Sequence, residues 1–165
     1  MGHGGQLDVR HFLAVCHLEL SRTMLRIPES RAKAESPLSA TILEWERLVN
    51  ERAGIAMYRE SLGTAYRVRG TIKAGDKRWE AAEKDFEESR KVLDVLTQKW
   101  PQLPSSHAEL GRTCLELGRL ARITNNPAAA DTWFAKATEE LARAVQMSPD
   151  NMRDRRSLKE VSQQR

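Results

Sequence analysis

The stretch that decides the fold is residues 58–99, YRESLGTAYRVRGTIKAGDKRWEAAEKDFEESRKVLDVLTQK. Its apolar residues recur at intervals of three and four, which is the spacing of one buried face of an α-helix. Gly75 is expected to end a first helix in the left-handed conformation, and Asp76 to cap the start of a second. The stretch therefore predicts two antiparallel helices joined by a tight turn at residues 74–76.

The pattern of this hairpin recurs along the chain at a fixed interval. The repeated positions, each 48 residues apart, are Leu62, Leu110 and Leu158, Gly70 and Gly118, Ala82 and Ala130, and Phe86 and Phe134. Leu13 lies 49 residues before Leu62. A fixed period of about 20–50 residues is typical of arrays in which each unit packs on the next. We therefore predict an all-α, right-handed array of seven helices and no strand.

The units of this array are expected at about 7–52, 54–100 and 104–148, followed by a terminal capping helix at 150–163. Together they make a single domain over 6–165, and residues 1–5 are interpreted as a disordered start or the remnant of a tag. The apolar face of the first helix is predicted to consist of Leu7, Phe12, Leu13, Cys16, Leu20, Met24 and Leu25. The second helix is expected to begin near Ser30 or at Ser36. Asn125 is expected to turn the chain, since asparagine tolerates the left-handed conformation.

Composition limits the possible classes of protein. Apolar residues make up 40% of the chain and charged residues 30%, which is ordinary for a helical protein in water. No stretch approaches about 18 consecutive apolar residues, and the first residues lack the apolar core of a signal peptide. The two cysteines, Cys16 and Cys114, fall at positions predicted to face the interior. We therefore expect a cytoplasmic protein in a reducing compartment, with no membrane segment.

The repeated positions also carry a family resemblance. A small residue at Gly70 or Gly118 is followed by an alanine and a phenylalanine on the next helix. This arrangement resembles the tetratricopeptide repeat, in which small residues let two helices cross closely within a right-handed superhelix. The family period is about 34 residues, and the excess of about 14 corresponds to two extra turns on each helix. The elongated form is similar to repeats in bacterial regulatory proteins, which stand alone or follow Ser/Thr protein kinase domains.

The resemblance implies a binding groove, because the first helix of each unit lines the concave face in this family. Arginines fall on or near that face at six positions: Arg22, Arg26, Arg67, Arg112, Arg119 and Arg122. Arginine is suited to bidentate capture of carboxylates, so an acidic peptide is the expected partner. We further expect Arg112→Glu with Arg119→Glu to abolish binding and to leave thermal stability nearly unchanged. At the close crossing, Gly118→Leu is expected to destabilise more than Gly111→Leu.

The leading hypothesis is a non-catalytic scaffold that binds a partner peptide or helix in this basic groove. The alternative is a regulatory or sensory C-terminal region of a bacterial multidomain Ser/Thr kinase or regulator. RNA binding is a third option, disfavoured because no exposed aromatic platforms are predicted between the basic residues. The four histidines form no metal-binding or nucleophile pattern, and the kinase signatures are missing from the sequence. No catalytic residue, metal or cofactor is therefore predicted.

Overall fold

The computed structural model describes residues 3–24, 27 and 32–164, which form seven α-helices and no strand. The helices are α1 His3–Met24, α2 Glu35–Glu51, α3 Ala56–Gly75, α4 Trp79–Lys99, α5 Pro104–Ile123, α6 Pro127–Met147 and α7 Met152–Ser162. A short 3-10 turn, Ala32–Ala34, precedes α2. The all-α prediction is confirmed, as is the number of helices. Within this described part of the chain, no helix is both long and apolar enough to cross a membrane.

The helices pack in chain order, each against the next. In addition, α1 contacts α3, α3 contacts α5, and α5 contacts α7, so the odd-numbered helices lie beside one another. The three largest fully buried side chains of the described residues, Trp45, Phe86 and Phe134, belong to even-numbered helices. The odd-numbered helices can therefore contribute side chains to a shared surface while the aromatic residues fill the core.

Two glycines bring the paired helices into close contact. A Cβ atom added at Gly70 would lie 2.5 Å from the ring of Phe86, and one added at Gly118 would lie 2.5 Å from the ring of Phe134. Any side chain at these positions would collide with a buried aromatic ring. The absence of a side chain at both glycines is what allows α3 to approach α4, and α5 to approach α6.

A second pair of glycines, seven residues earlier on the same two helices, makes equally close contacts. A Cβ at Gly63 would meet Leu93 at 2.6 Å, and one at Gly111 would meet Leu141 at 2.7 Å. At Gly111 the backbone nitrogen of Leu141 is also only 3.1 Å away, and backbone cannot move aside as a flexible side chain can. The structure thus gives no reason to expect Gly111→Leu to be milder than Gly118→Leu, because both glycines sit at close crossings.

The turns between paired helices differ from the sequence-based expectation. The residues with positive φ are Lys77 and Asn125, both at 60°, and they lie 48 positions apart. The prediction for Asn125 is confirmed. Gly75 is instead the last residue of α3, and Asp76 does not cap α4, whose N-cap position is Arg78. Helix α3 therefore continues further than the glycine suggested, and a lysine takes the left-handed position.

Helix α1 buries a different face from the one predicted. Among the side chains that the structure describes, it buries Ala14, Leu18 and Ser21; of the predicted face, Met24 packs partly buried against the same core. Its exposed apolar residues, which we call the α1 stripe, are Val9, Phe12, Leu13, Cys16 and Leu20. The expectation that Cys16 faces the interior is wrong, whereas Cys114 is buried as expected.

The start of α1 also lies earlier than predicted. The helix begins at His3, so residues 3–5, which were interpreted as a disordered start, are helical. The side chain of Leu7, the residue Leu25 and a start of α2 near Ser30 lie outside the described residues. Helix α2 begins at Glu35, within one residue of the second position considered for it.

Candidate functional site

A groove runs across the odd-numbered helices. Its volume is about 480 Å³, and it is open to solvent along its length. We call it the arginine groove; its lining residues are Glu19, Arg22, Thr23, Arg67, Val68, Thr71, Glu116 and Arg153. These residues come from α1, α3, α5 and α7. The lining is mostly polar, which suits a charged or strongly hydrogen-bonding ligand rather than an apolar one.

The groove arginines converge on one buried carboxylate, Glu109 of α5. Its oxygens lie 2.8 Å from Arg67, 2.7 Å from Arg112, 3.4 Å from Arg153 and 4.0 Å from Arg22. Four guanidinium groups from four different helices thus share a single counter-charge. Asp154 and Glu19 provide further carboxylates for Arg112 and Arg22, respectively. By contrast, Arg67 makes its ion pair with Glu109 alone among the described residues.

The electrostatics of the cluster follow from this geometry. Burial by itself would raise the pKa of Glu109, but the charges of Arg67, Arg112, Arg153 and Arg22 outweigh it and hold that pKa well below the usual range. Burial lowers the pKa of Arg153, and the nearby guanidiniums lower it further, although Glu109 acts in the opposite direction. Among the charges that act on Arg153, Glu109 has the largest effect, and three arginines oppose it.

Arg112 is an internal anchor rather than a surface residue. Its side chain is buried, pairs with Glu109 and Asp154, and donates a hydrogen bond of 3.3 Å to Ser157 Oγ. These contacts tie α5 to α7. These contacts do not support the expectation that Arg112→Glu with Arg119→Glu leaves thermal stability nearly unchanged, because a carboxylate at position 112 would face Glu109 and Asp154 in place of the arginine that pairs with both.

Arg119 and Arg122 are not among the residues that line the groove. Arg119 pairs with Glu116 at 3.1 Å and with Glu160 of α7. Arg122 donates to the side-chain and backbone oxygens of Gln164, and its guanidinium lies 4.8 Å from the ring centroid of Phe134. Both hold the end of α7 against α5.

The six predicted positions thus divide by location. Arg22 and Arg67 line the groove. Arg112 lies behind it, Arg119 and Arg122 lie beside α7, and Arg26 falls outside the described residues. Arg22, Arg67 and Arg112 meet at Glu109, and only the first two of them face the open groove.

Sequence reasoning missed two residues of the cluster, Glu109 and Arg153. One signal was present: Arg67 and Glu109 are 42 residues apart, as are Arg112 and Asp154. An arginine on one odd-numbered helix is thus matched by a carboxylate on the next at a constant offset. A search for opposite charges separated by somewhat less than the 48-residue period would have found the buried carboxylates.

Other polar groups of the chain serve packing. His107 is buried, with Nδ1 2.6 Å from a carboxylate oxygen of Glu140 and Nε2 3.0 Å from the carbonyl oxygen of Pro101. It fixes the link before α5 to the middle of α6. Within the described residues, no three histidine, cysteine or carboxylate side chains are grouped so that they could hold a metal ion.

Comparison with known proteins adds no further constraint. No protein-family model matches the sequence, and neither a curated protein nor a solved structure is significantly similar to it. Any function must therefore be argued from the geometry of the chain itself.

Proposed function

We propose that this chain is a non-catalytic interaction scaffold that binds an acidic peptide segment in the arginine groove. The observation that carries the proposal is the set of four arginines around the single buried carboxylate of Glu109. Three of these arginines, Arg22, Arg67 and Arg153, also line the open groove. A carboxylate entering the groove would give Arg153, which is half-exposed and shares Glu109 with three other arginines, a partner of its own.

The proposal includes the fold expected from the family resemblance, a right-handed superhelix of elongated tetratricopeptide-like hairpins. Its support is the recurrence of the glycine contacts, since Gly63 and Gly70 meet α4 as Gly111 and Gly118 meet α6. The side-by-side packing of the odd-numbered helices supports it as well. In such an array the groove would belong to the concave face.

The chemistry of the lining favours carboxylate ligands. A guanidinium presents paired N–H donors that match the two oxygens of a carboxylate. Thr23 and Thr71 also line the groove; each hydroxyl donates to a helix carbonyl four residues earlier and keeps lone pairs that can accept a hydrogen bond. The acidic side chains Glu19 and Glu116 border the same space, so a ligand must place its charges near the arginines rather than anywhere along the groove. The groove therefore selects ligands by the position of their charges as well as by the sign of those charges.

The test is direct binding of a synthetic peptide of alternating glutamate and glycine, measured by calorimetry beside its lysine counterpart. Arg153→Gln removes a groove arginine, whereas Arg155→Gln removes an exposed arginine two residues away on the same helix. Net charge changes equally in both variants. We expect Arg153→Gln to weaken binding of the acidic peptide about tenfold or more, and Arg155→Gln to leave it nearly unchanged.

Two results would contradict the proposal. The first is equal affinity for the acidic and basic peptides. The second is equal weakening by Arg153→Gln and Arg155→Gln, which would show that only the net positive charge of the chain attracts the peptide. Raising the salt concentration should weaken specific binding as well, because screening lengths fall from about 10 Å at 0.1 M to about 3 Å at 1 M.

A further inference from the structure

The arginine groove contains guanidinium N–H groups that no acceptor among the described residues takes up. Arg153 lies 3.4 Å from an oxygen of Glu109 but donates no side-chain hydrogen bond within this part of the chain. Arg22 donates through Nη1 to Glu19, whereas its Nη2 lies 4.0 Å from Glu109, beyond the length of a hydrogen bond. Arg67 donates through Nε and Nη2 to Glu109 and keeps Nη1 without a partner among the described residues. All three arginines therefore have donors left for a ligand.

These three guanidiniums are grouped around one point. Nη2 of Arg22 and Nη2 of Arg153 lie 4.0 and 3.4 Å from the same oxygen of Glu109. Nη2 of Arg67 lies 2.8 Å from the other oxygen of that carboxylate. Glu109 is buried and is not part of the groove lining, whereas the three arginines are. One small anion in the groove can therefore contact guanidiniums from α1, α3 and α7 together.

The acidic residues of the lining limit where negative charge can lie along a ligand. Glu19 pairs with Arg22 at 2.7 Å, and Glu116 pairs with Arg119 at 3.1 Å. Both glutamates line the groove, so negative charges spread along a ligand would meet like charge there. A ligand that concentrates its charge at one residue avoids this repulsion.

A phosphomonoester concentrates charge in this way. It carries a charge of about −1.5 to −2 near pH 7 on three strong acceptor oxygens, whereas a carboxylate carries one charge on two oxygens. Arginine N–H groups bind phosphate oxygens in pairs, and arginine clusters are a recurring means of recognising phosphorylated segments. A phosphodiester of a nucleic acid has only one charge per phosphate and two terminal oxygens, so it would use fewer of the available donors.

We propose that the segment bound in the arginine groove carries a phosphorylated side chain, and that Arg22, Arg67 and Arg153 hold its phosphoryl group. This inference rests on the proposed function and narrows it from an acidic peptide to a phosphopeptide. The groove volume of about 480 Å³ leaves room for the residue that carries the phosphoryl group.

The experiment compares two peptides of about equal net charge by calorimetry with the full chain. The first is the peptide of alternating glutamate and glycine. In the second, one glutamate becomes phosphoserine and the next glutamate becomes glycine, which keeps the net charge about the same. We expect the phosphopeptide to bind about tenfold more tightly or better. A short oligouridylate should bind more weakly than the phosphopeptide.

Arg153→Lys separates the effect of the donors from that of the charge, since lysine keeps the charge but lacks the paired N–H groups of arginine. Arg22→Lys makes the same change on α1. Arg155→Lys is the matched control, because it alters an exposed arginine on the same helix as Arg153. We expect Arg153→Lys and Arg22→Lys each to remove most of the preference for the phosphopeptide, and Arg155→Lys to leave that preference unchanged.

The possible failures are distinguishable. Equal affinity for the two peptides would overturn this inference and leave the proposed function standing. Binding of neither peptide would contradict both. A preference for the phosphopeptide that survives Arg153→Lys and Arg22→Lys would overturn the inference as well, and so would an oligouridylate that binds more tightly than the phosphopeptide.

Discussion

Removal of the charge on Glu109 is the sharpest test of the arginine cluster. Glu109→Gln keeps the size of the side chain but leaves four guanidiniums without their shared carboxylate. Arg112 retains Asp154, and Arg22 retains Glu19. Arg67 is the critical partner, because its side chain is nearly buried and its only ion pair among the described residues is with Glu109.

The magnitude follows from that one unpaired charge. Breaking a buried ion pair by removing one partner costs about 3–5 kcal/mol. For a chain of this length each kcal/mol corresponds to about 2–4 °C, so Tm should fall by about 6–20 °C. Glu116→Gln is the matched control, since it lies on the same helix and its contact with Arg119 is half-exposed. We expect that control to cost less than about 1 kcal/mol.

Thermal melts followed by circular dichroism measure both variants, and a double variant makes the reasoning refutable. If the loss comes from the unpaired Arg67, then Glu109→Gln with Arg67→Met should be more stable than Glu109→Gln alone, because no buried charge remains without a partner. Equal melting temperatures for Glu109→Gln and Glu116→Gln would refute the argument. The unpaired-charge explanation would also be refuted if the double variant lost as much stability as Glu109→Gln and Arg67→Met lose together when measured singly.

Three further outcomes are expected. Gly111→Ala should destabilise by about 1–3 kcal/mol because its Cβ meets the backbone of α6, whereas Gly54→Ala, which has open space around it, should be neutral in the same denaturant titration. Lys77→Gly should stabilise by about 0.5–1 kcal/mol, since glycine adopts positive φ without strain; an unchanged or lower Tm would contradict this. Because the folded-state pKa of Glu109 is lowered, its stabilisation is present above the unfolded pKa of about 4.3 and is lost at lower pH, so the stability gap between wild type and Glu109→Gln should shrink from pH 7 to pH 3. A gap that stays constant over that pH range would count against the assigned shift.

Helix positions could be predicted from the sequence wherever glycine and proline mark the ends. Pro104 and Pro127 begin α5 and α6, and Asn125 supplies the turn between them. The turn after α3 was misplaced because Gly75 suggested a left-handed cap that the chain places at Lys77. Helix α3, which packs against α4, extends through Gly75, so the left-handed residue falls two positions later than glycine's local preference indicated.

The buried face of α1 could not be chosen from periodicity alone. The helix carries two stripes at helical spacing, one of large apolar residues and one of small residues. The spacing favoured Phe12 and Leu13, but the protein buries Ala14 and Ser21. Close helix crossings need small residues, as Gly63 and Gly70 show 49 positions later. The inward stripe combines small residues at positions 14 and 21, where helices cross closely, with the buried Leu18 between them.

The arginine groove was half predictable. The resemblance to helical repeats placed Arg22 and Arg67 on the odd-numbered helices and facing one surface, where the structure has them. It could not show that Glu109 turns inward among them, since a glutamate beside arginines on a helix is usually an exposed partner. Burial of Arg112 depends on α7, which supplies Asp154 from 42 residues away.

Two kinds of contact hold the helices together, and they respond differently to dissolved ions. Within the hairpins of α3 with α4 and of α5 with α6, the glycines let two helices pack closely through uncharged contacts, which salt does not screen. Between hairpins, apolar packing such as that of Leu93 and Leu96 with Leu110 is supplemented by ion pairs, and the pair of Arg119 with Glu160 at the edge of α7 is open to dissolved ions. A rise in ionic strength should therefore weaken the attachment of α7 to α5 before it affects the glycine contacts within a hairpin.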